Sequence, residues 1–247
     1  MFHTAAFFDS TASTTANTQI NAVQDDVMTI RNNNLFPDRD YFLLAAYCGS
    51  DLIESGRLVT PTFRVISNPN IVPLNGADQP GSNPGIADYR ANPLRIPGGQ
   101  ELEAQGSNNG GFDPIAMIVS MRQTPSPSPI GQIYTIRATS TTAAVAGLWT
   151  NQVLTFDDAL PPGRYAVVGG WCLSATGIAF RLRIPGQLMR PGGIMATALG
   201  NVSPKLQIKG GLGTWGEFNN DTLPELEILA TAADTASTLF LDVIQVR

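Results

Sequence analysis

Short apolar segments bounded by Gly, Pro, Asn or Asp recur along the whole chain, and the 3.6-residue spacing of an amphipathic helix is nearly absent. Tyr41 to Cys48 and Tyr165 to Cys172 are almost continuously apolar, which predicts strands buried on both faces, or on one face with small Ala or Gly on the other. Phe63-Arg64-Val65 and Phe180 to Ile184 alternate apolar residues with Arg, and Ile133 to Arg137 and Leu239 to Val246 do so less strictly. Those strands should turn one face inward and one to water. Further strands are expected near residues 94–97, 100–104, 115–122, 205–209 and 224–230. Ile20, Val23, Val27 and Ile30 fit one face of a helix, but Asp25-Asp26 and the ending Val-Met-Thr-Ile fit a short strand, which we favour. Residues 75–93, rich in Gly, Pro, Asn and Asp, predict a long irregular loop. The class that follows is all-β.

The same elements occur twice. Tyr41, Tyr47, Cys48 and Ser50 each find a like residue 124 positions on, at Tyr165, Trp171, Cys172 and Ser174. Phe63-Arg64-Val65 matches Phe180-Arg181-Leu182 at 117, and Leu94 to Gly99 matches Leu206 to Gly211 at 112. Glu101-Leu102-Glu103 then matches Glu225-Leu226-Glu227, and Val119 matches Val243, both at 124, which requires an insertion around Trp215 to Leu223 in the second copy. Upstream, Met28-Thr29-Ile30 resembles Leu154-Thr155-Phe156 at 126, and the period is about half of the 247 residues. Between the copies, Thr124 to Pro129 alternates proline with Ser, which favours an extended spacer and excludes helix or central strand. The expected domains are an N-terminal sandwich over residues 1–123, a linker over 124–129 and a C-terminal sandwich over 130–247. Roughly 120 residues accommodate eight strands of about five or six residues with their loops. Two tandem jelly-roll-like β-sandwiches related by internal duplication fit best, with immunoglobulin-like sandwiches second.

Composition narrows the function more than the fold. Charged residues are 14% of the chain, against about 25% in ordinary soluble domains, and Gly, Pro, Ser, Thr and Asn take their place. Fifteen basic against twenty acidic residues give a net charge of −5, with Lys205 and Lys209 the only lysines. No basic field for DNA or RNA is available, and no direct nucleic-acid binding is expected. His3 is the single histidine, which excludes Ser-His-Asp hydrolases and His-ligated zinc enzymes. Met1 to Phe8 lacks a charged leader region, and the apolar run Phe42 to Cys48 is far short of the roughly 18 residues of a membrane span, so a protein made soluble is expected. Cys48 and Cys172 read as reduced core thiols not bonded to each other. The glycosylation sequons at Asn201 and Asn220 carry no weight without a secretory route.

Candidate chemistry is sparse. Glu101 with Glu103, and Glu225 with Glu227, sit two apart on one strand face, where paired carboxylates could do acid and base work; a solvated strand face is the simpler reading. Asp25-Asp26, Asp38 with Asp40, and Asp157-Asp158 offer oxygen ligands for calcium, but no calcium-loop pattern surrounds them and they read as turn formers. Glycine pairs at 98–99, 110–111, 169–170, 192–193 and 210–211 lack the context of a phosphate loop and read as turns or close-packing sites. Of Trp149, Trp171 and Trp215, the last is placed in the inserted loop and expected to be exposed, and Trp171 is expected in the core. No catalytic, cofactor or metal site is expected, and the chain is read as no enzyme.

The duplicated core strands, Tyr41 to Ser50 and Tyr165 to Ser174, the repeated Glu-Leu-Glu strands and the central Pro-rich linker resemble the plan of double jelly-roll major capsid proteins of tailless icosahedral viruses, including membrane-containing phages. The likeness is architectural and covers nearly the whole chain. It implies a homotrimer whose two copies per subunit make a pseudo-hexagonal block, a shell of such trimers, contacts with neighbouring capsid subunits and with minor capsid or membrane proteins, and a place in the virion. A tandem carbohydrate- or receptor-binding module, such as a phage spike or fibre part, is the alternative, with the loops near residues 75–93 and 212–223 as its surface.

Overall fold

The computed structural model describes residues 2–9, 18–49, 53–62, 70–71, 86–108, 115–125, 127, 129–195 and 213–246. The chain divides into two compact units, one of Ala5–Gln123 and one of Met1–Thr4 with Thr124–Arg247. The first four residues therefore belong with the C-terminal unit, whereas the sequence suggested a unit running from residue 1 to 123.

The strands that build the N-terminal unit are β1 (Phe2–Asp9), β2 (Thr18–Ile20), β3 (Thr29–Arg31), β4 (Asn34–Phe36), β5 (Tyr41–Gly49), β6 (Ile53–Val59), β7 (Asn70–Ile71), β8 (Ile86–Asp88), β9 (Leu94–Ile96), β10 (Glu103–Asn108) and β11 (Ile115–Arg122). They form one sheet in the order β1-β11-β5-β8, with β9 also on β5, and a second in the order β2-β10-β6-β7. β3 and β4 make a separate hairpin that turns through Asn32 and Asn33, both at positive φ, a conformation Asn tolerates better than most residues. The C-terminal unit has β12 (Ile133–Ser140), β13 (Thr150–Gln152), β14 (Thr155–Phe156), β15 (Arg164–Ser174), β16 (Gly177–Arg183), β17 (Gly192–Ile194), β18 (Gly216–Asn219), β19 (Glu225–Ala230) and β20 (Ser237–Val246). Its sheets run β14-β12-β20-β15-β18 and β13-β19-β16-β17. Leave out β3, β4, β8 and β14, and each unit has eight strands in which the first, eighth, third and sixth make one sheet and the second, seventh, fourth and fifth the other. That order is the jelly roll, so the chain is a double jelly roll.

The two units agree in register as well as in order. β5 bulges at Leu44 against Ser120 and Met121 of β11, and β15 bulges at Val168 against Asp242 and Val243 of β20. β6 bulges at Glu54 against β10, and β16 at Ile178 against β19. Each bulged pair is 124 positions apart, and Cys48 and Cys172 hold the same place on β5 and β15. On the strands that follow, the separation falls to 122: Ile71 of β7 corresponds to Gly193 of β17, Ile96 of β9 to Phe218 of β18, Ala104 of β10 to Leu226 of β19, and Val119 of β11 to Leu241 of β20. The second unit is thus two residues shorter between its fourth and fifth strands. A bulge is a local backbone feature that fixes twist and register, so two at matching places argue strongly for one repeated plan.

Several sequence matches fail against this register. Glu103 corresponds to Glu225 and Gln105 to Glu227, so the Glu-Leu-Glu alignment was displaced by two, as was Val119 with Val243. The counterpart of β16 is β6, not Phe63-Arg64-Val65, which lies outside the described residues. The place of β9 is taken by β18, so no insertion separates Trp215 from Leu223; Leu206 to Gly211 lie outside the described residues. Met28-Thr29-Ile30 feeds the β3–β4 hairpin, whereas Thr155 and Phe156 pair with β12. Here the first unit is the longer one: 21 positions separate Ile20 from Tyr41, against 13 between the corresponding Gln152 and Tyr165. Two-residue slips keep the inward and outward alternation intact, which is why they escape detection by pattern. The strand expected over 100–104 begins at Glu103, and β8 lies inside the segment read as a loop over 75–93.

Candidate functional site

The paired glutamates separate into two environments. On β16 and β19, Arg183 faces Glu225 and Arg181 faces Glu227, two rungs of one ladder. The Arg183–Glu225 pair is exposed and 3.6 Å apart. Arg181 and Glu227 are buried, with Nε donating to Oε2 at 2.5 Å, and the guanidinium lies 4.4 Å from the centre of the Trp149 ring. Trp149 and Glu227 together compensate a charge removed from water, which is the condition for burying one. At the equivalent rung of the N-terminal unit, Arg57 Nε donates to Gln105 Oε1 at 2.7 Å, and Gln105 Nε2 donates to Glu103 at 2.6 Å. Glu101 lies just before β10 and accepts from the Asn32 and Asn34 amides. Glu101 and Glu103 share a cleft of about 290 Å³ with Phe36, Val59, Pro61 and Gln100. Each described carboxylate of the two pairs thus serves a neighbouring Arg or amide.

Asp25, Asp38, Asp40 and Asp157 are turn formers or ion-pair partners, and Asp26 and Asp158 are exposed. Asp25 accepts the backbone N–H groups of Val27 and Met28, closing a turn on its own chain. Asp40 accepts the Gly98 N–H at 2.9 Å and the Arg95 guanidinium at 2.6 Å, and the two together hold its carboxyl below the usual range. Asp157 pairs with Arg137 and Asp38 with Arg39. Burial pushes the Asp234 carboxyl up, but the Ser174 hydroxyl and the backbone N–H groups of Ala175 and Ala236 outweigh it and leave it lowered. Among the described residues, no group of three or more His, Cys, Asp or Glu side chains is placed to hold a metal ion. One glycine of each of two pairs packs closely, since a Cβ on Gly98 would meet the Arg39 backbone at 2.6 Å and one on Gly192 the Phe180 carbonyl at 1.9 Å, whereas Gly99, at positive φ with open space around it, serves a turn. The pairs at 110–111 and 210–211 lie outside the described residues.

Trp215 is buried, contrary to its expected exposure, because β18 is a core-lining strand and not an inserted loop. Its ring meets Phe2 edge-on at 5.1 Å and lies 6.2 Å from Phe180. Thr4 N–H donates to the Arg190 carbonyl at 2.8 Å, and the Arg190 N–H donates to His3 Nδ1 at 3.2 Å. The only histidine is therefore a buried piece of the second unit's core. Sequence reasoning missed this strap, although the run Phe2 to Phe8 carries no charge and reads as a strand once its partners are known. Trp171 is half-buried and stacks on Phe240 across the β15–β20 ladder at 4.2 Å. Cys172 is a buried free thiol whose pKa burial pushes strongly up; the side chain of Cys48 lies outside the described set. Of the linker, Thr124, Pro125 and Pro127 are exposed, and the Pro127 carbonyl accepts the Thr214 hydroxyl at 2.7 Å. A second cleft of about 360 Å³ is lined by Arg164 and Glu217, already an ion pair, with Pro185, Phe218, Asn219 and Thr222.

No protein-family model matches the chain, and no curated protein matches it in sequence. Among solved structures it is similar to the major capsid protein P2 of bacteriophage PM2, with 11% identity and a TM-score of 0.29 over 100% of this chain and 98% of that one. It is also similar to the STIV major capsid protein, with 9% identity and a TM-score of 0.25 over 99% of this chain and 97% of that one.

Proposed function

We propose that this chain is a structural protein of a virus particle, a major capsid protein that assembles as trimers into an icosahedral shell. The observation that carries the reading is the repeat of one jelly roll within a single chain, matched down to the bulges at Leu44 and Val168 and at Glu54 and Ile178. A subunit with two similar sandwiches offers two similar sets of edges and loops, so three-fold closure sets six similar corners about one axis. Such a block tiles a closed surface. The candidate carboxylates whose partners are given above, and the histidine, serve packing, turns and ion pairs, which is what a structural role requires of them. A charged fraction of 14% leaves a surface better suited to contact with neighbours than to a solitary monomer. The partners of this reading are further copies of the chain and minor capsid or membrane proteins, with no direct contact to the genome; synthesis would be in the host cytoplasm and residence in the virion.

Sedimentation of the purified protein, followed by electron microscopy, tests this. Trimers, or closed particles in which this chain is the most abundant protein, are expected. A stable monomer at high concentration that neither trimerises nor joins particles would sink the proposal.

A further inference from the structure

Among the described residues, part of one sheet edge of the C-terminal unit is left open. β12 pairs along its inner side with β20, but on its outer side it meets β14 only at Ala138 and Thr139. The Arg137 carbonyl accepts the Asp157 N–H on that outer side at 3.0 Å. Backbone groups alternate direction along an antiparallel strand, so Ile133 and Thr135 also direct N–H and C=O outward. Among the described residues no strand takes these groups. The side chains there are large, apolar and uncovered: Ile130 is fully exposed, Ile133 is 42% exposed and Tyr134 43%. Residues 130–136 carry no charge, and Arg137 is held by Asp157. Natural edge strands are normally blunted by lysine, proline, an inward charge or shortness; β12 has eight residues and none of these devices along its open part.

We infer that this edge pairs with the same edge of a second copy of the chain, extending the sheet across a two-fold axis. An antiparallel pairing of a strand with itself is self-complementary, so one surface supplies both halves of the contact. The register is fixed by what is open. Using both Ile133 and Thr135, and stopping before the carbonyl taken by Asp157, sets Ile133 of one copy opposite Thr135 of the other. Tyr134 then faces its own counterpart in the non-hydrogen-bonded position, where Cα atoms approach to about 4.5 Å. With no charge along the stretch, nothing repels a second copy, and nothing selects a charged foreign strand. The inference goes beyond the shell reading and does not rest on it, since a soluble dimer would pair in the same way.

Tyr134→Cys in the full-length chain tests the register, because a separation of about 4.5 Å lies within the span of a disulfide. Under mild oxidation it should give a disulfide-linked dimer at least tenfold faster than Leu188→Cys, which is the more accessible position on the β16–β17 connection, and than the parent protein. Ile133→Lys, at an exposed position where the fold has room for it, should weaken self-association at least tenfold by sedimentation while leaving the circular dichroism spectrum unchanged. Equal crosslinking at positions 134 and 188, or undiminished association of a folded Ile133→Lys protein, overturns the inference. Particles that form without the 134 crosslink would leave the shell reading standing and this one refuted; a crosslinked dimer that never builds particles would do the reverse.

Discussion

Phe2 and Phe7 lie five positions apart on one strand yet belong to different units, so truncating each should weaken a different half of the protein. Phe2 is 1% exposed and packs edge-on against Trp215, and Phe7 is fully buried and bridges to Ala22. Burying about 150 Å² of aromatic surface at roughly 25 cal/mol per Å² is worth about 4 kcal/mol. Measured Phe→Ala costs of about 3–5 kcal/mol agree. Phe2→Ala and Phe7→Ala should therefore each cost about 4 kcal/mol. Guanidinium unfolding followed by hydrogen exchange and mass spectrometry separates the two: Phe2→Ala should lower protection in β16 and β18, and Phe7→Ala in β2, β10 and β11. If Phe2→Ala costs less than about 1 kcal/mol with β16 and β18 still protected, the strap is not part of the second core.

The rest concern single interactions. Glu227→Leu should cost about 3–5 kcal/mol in urea unfolding, because Arg181 keeps a buried charge that has lost its facing carboxylate, whereas Glu227→Gln should cost about 1 kcal/mol, since Gln105 already serves Arg57 at the equivalent rung; equal losses would show the charge to be unimportant. Cys172 should resist a thiol reagent in the native protein and react once denaturant is added, as read by mass spectrometry of its peptide, because burial keeps the thiolate from forming; rapid native labelling would contradict its placement. Asp40, with its pKa held down by Gly98 and Arg95, contributes stability that is present above the unfolded carboxylate value and lost as pH falls through the lowered folded one. Asp40→Asn should accordingly flatten the acid side of the stability profile and leave the neutral-to-alkaline shape alone; an unchanged acid limb would refute the pairing.

Strand identity was legible where the chain is its own evidence. Tyr41 to Cys48 and Tyr165 to Cys172 read as buried strands from composition alone, and their separation of 124 is visible because no insertion divides the residues compared. The all-β class and the doubled plan follow from such local runs. Register and partner choice do not, because alternation tells which face a residue takes but is blind to a slip of two. So Glu103 was matched with Glu227 when its counterpart is Glu225, and β18 was read as an insertion because Gly216 to Asn219 shows little apolar pattern until Tyr165 and Val167 stand beside it. The candidate chemistry was settled by neighbours: the same residue type, glutamate, is an exposed pair at 225 and a buried one at 227, and only the strand across the ladder decides which. Phe2, His3 and Thr4 depend on partners almost two hundred positions away, and Ile133 and Thr135 on β14 ending short. Long-range proximity is the free energy of the whole chain's packing, and it leaves no mark on the few residues it joins.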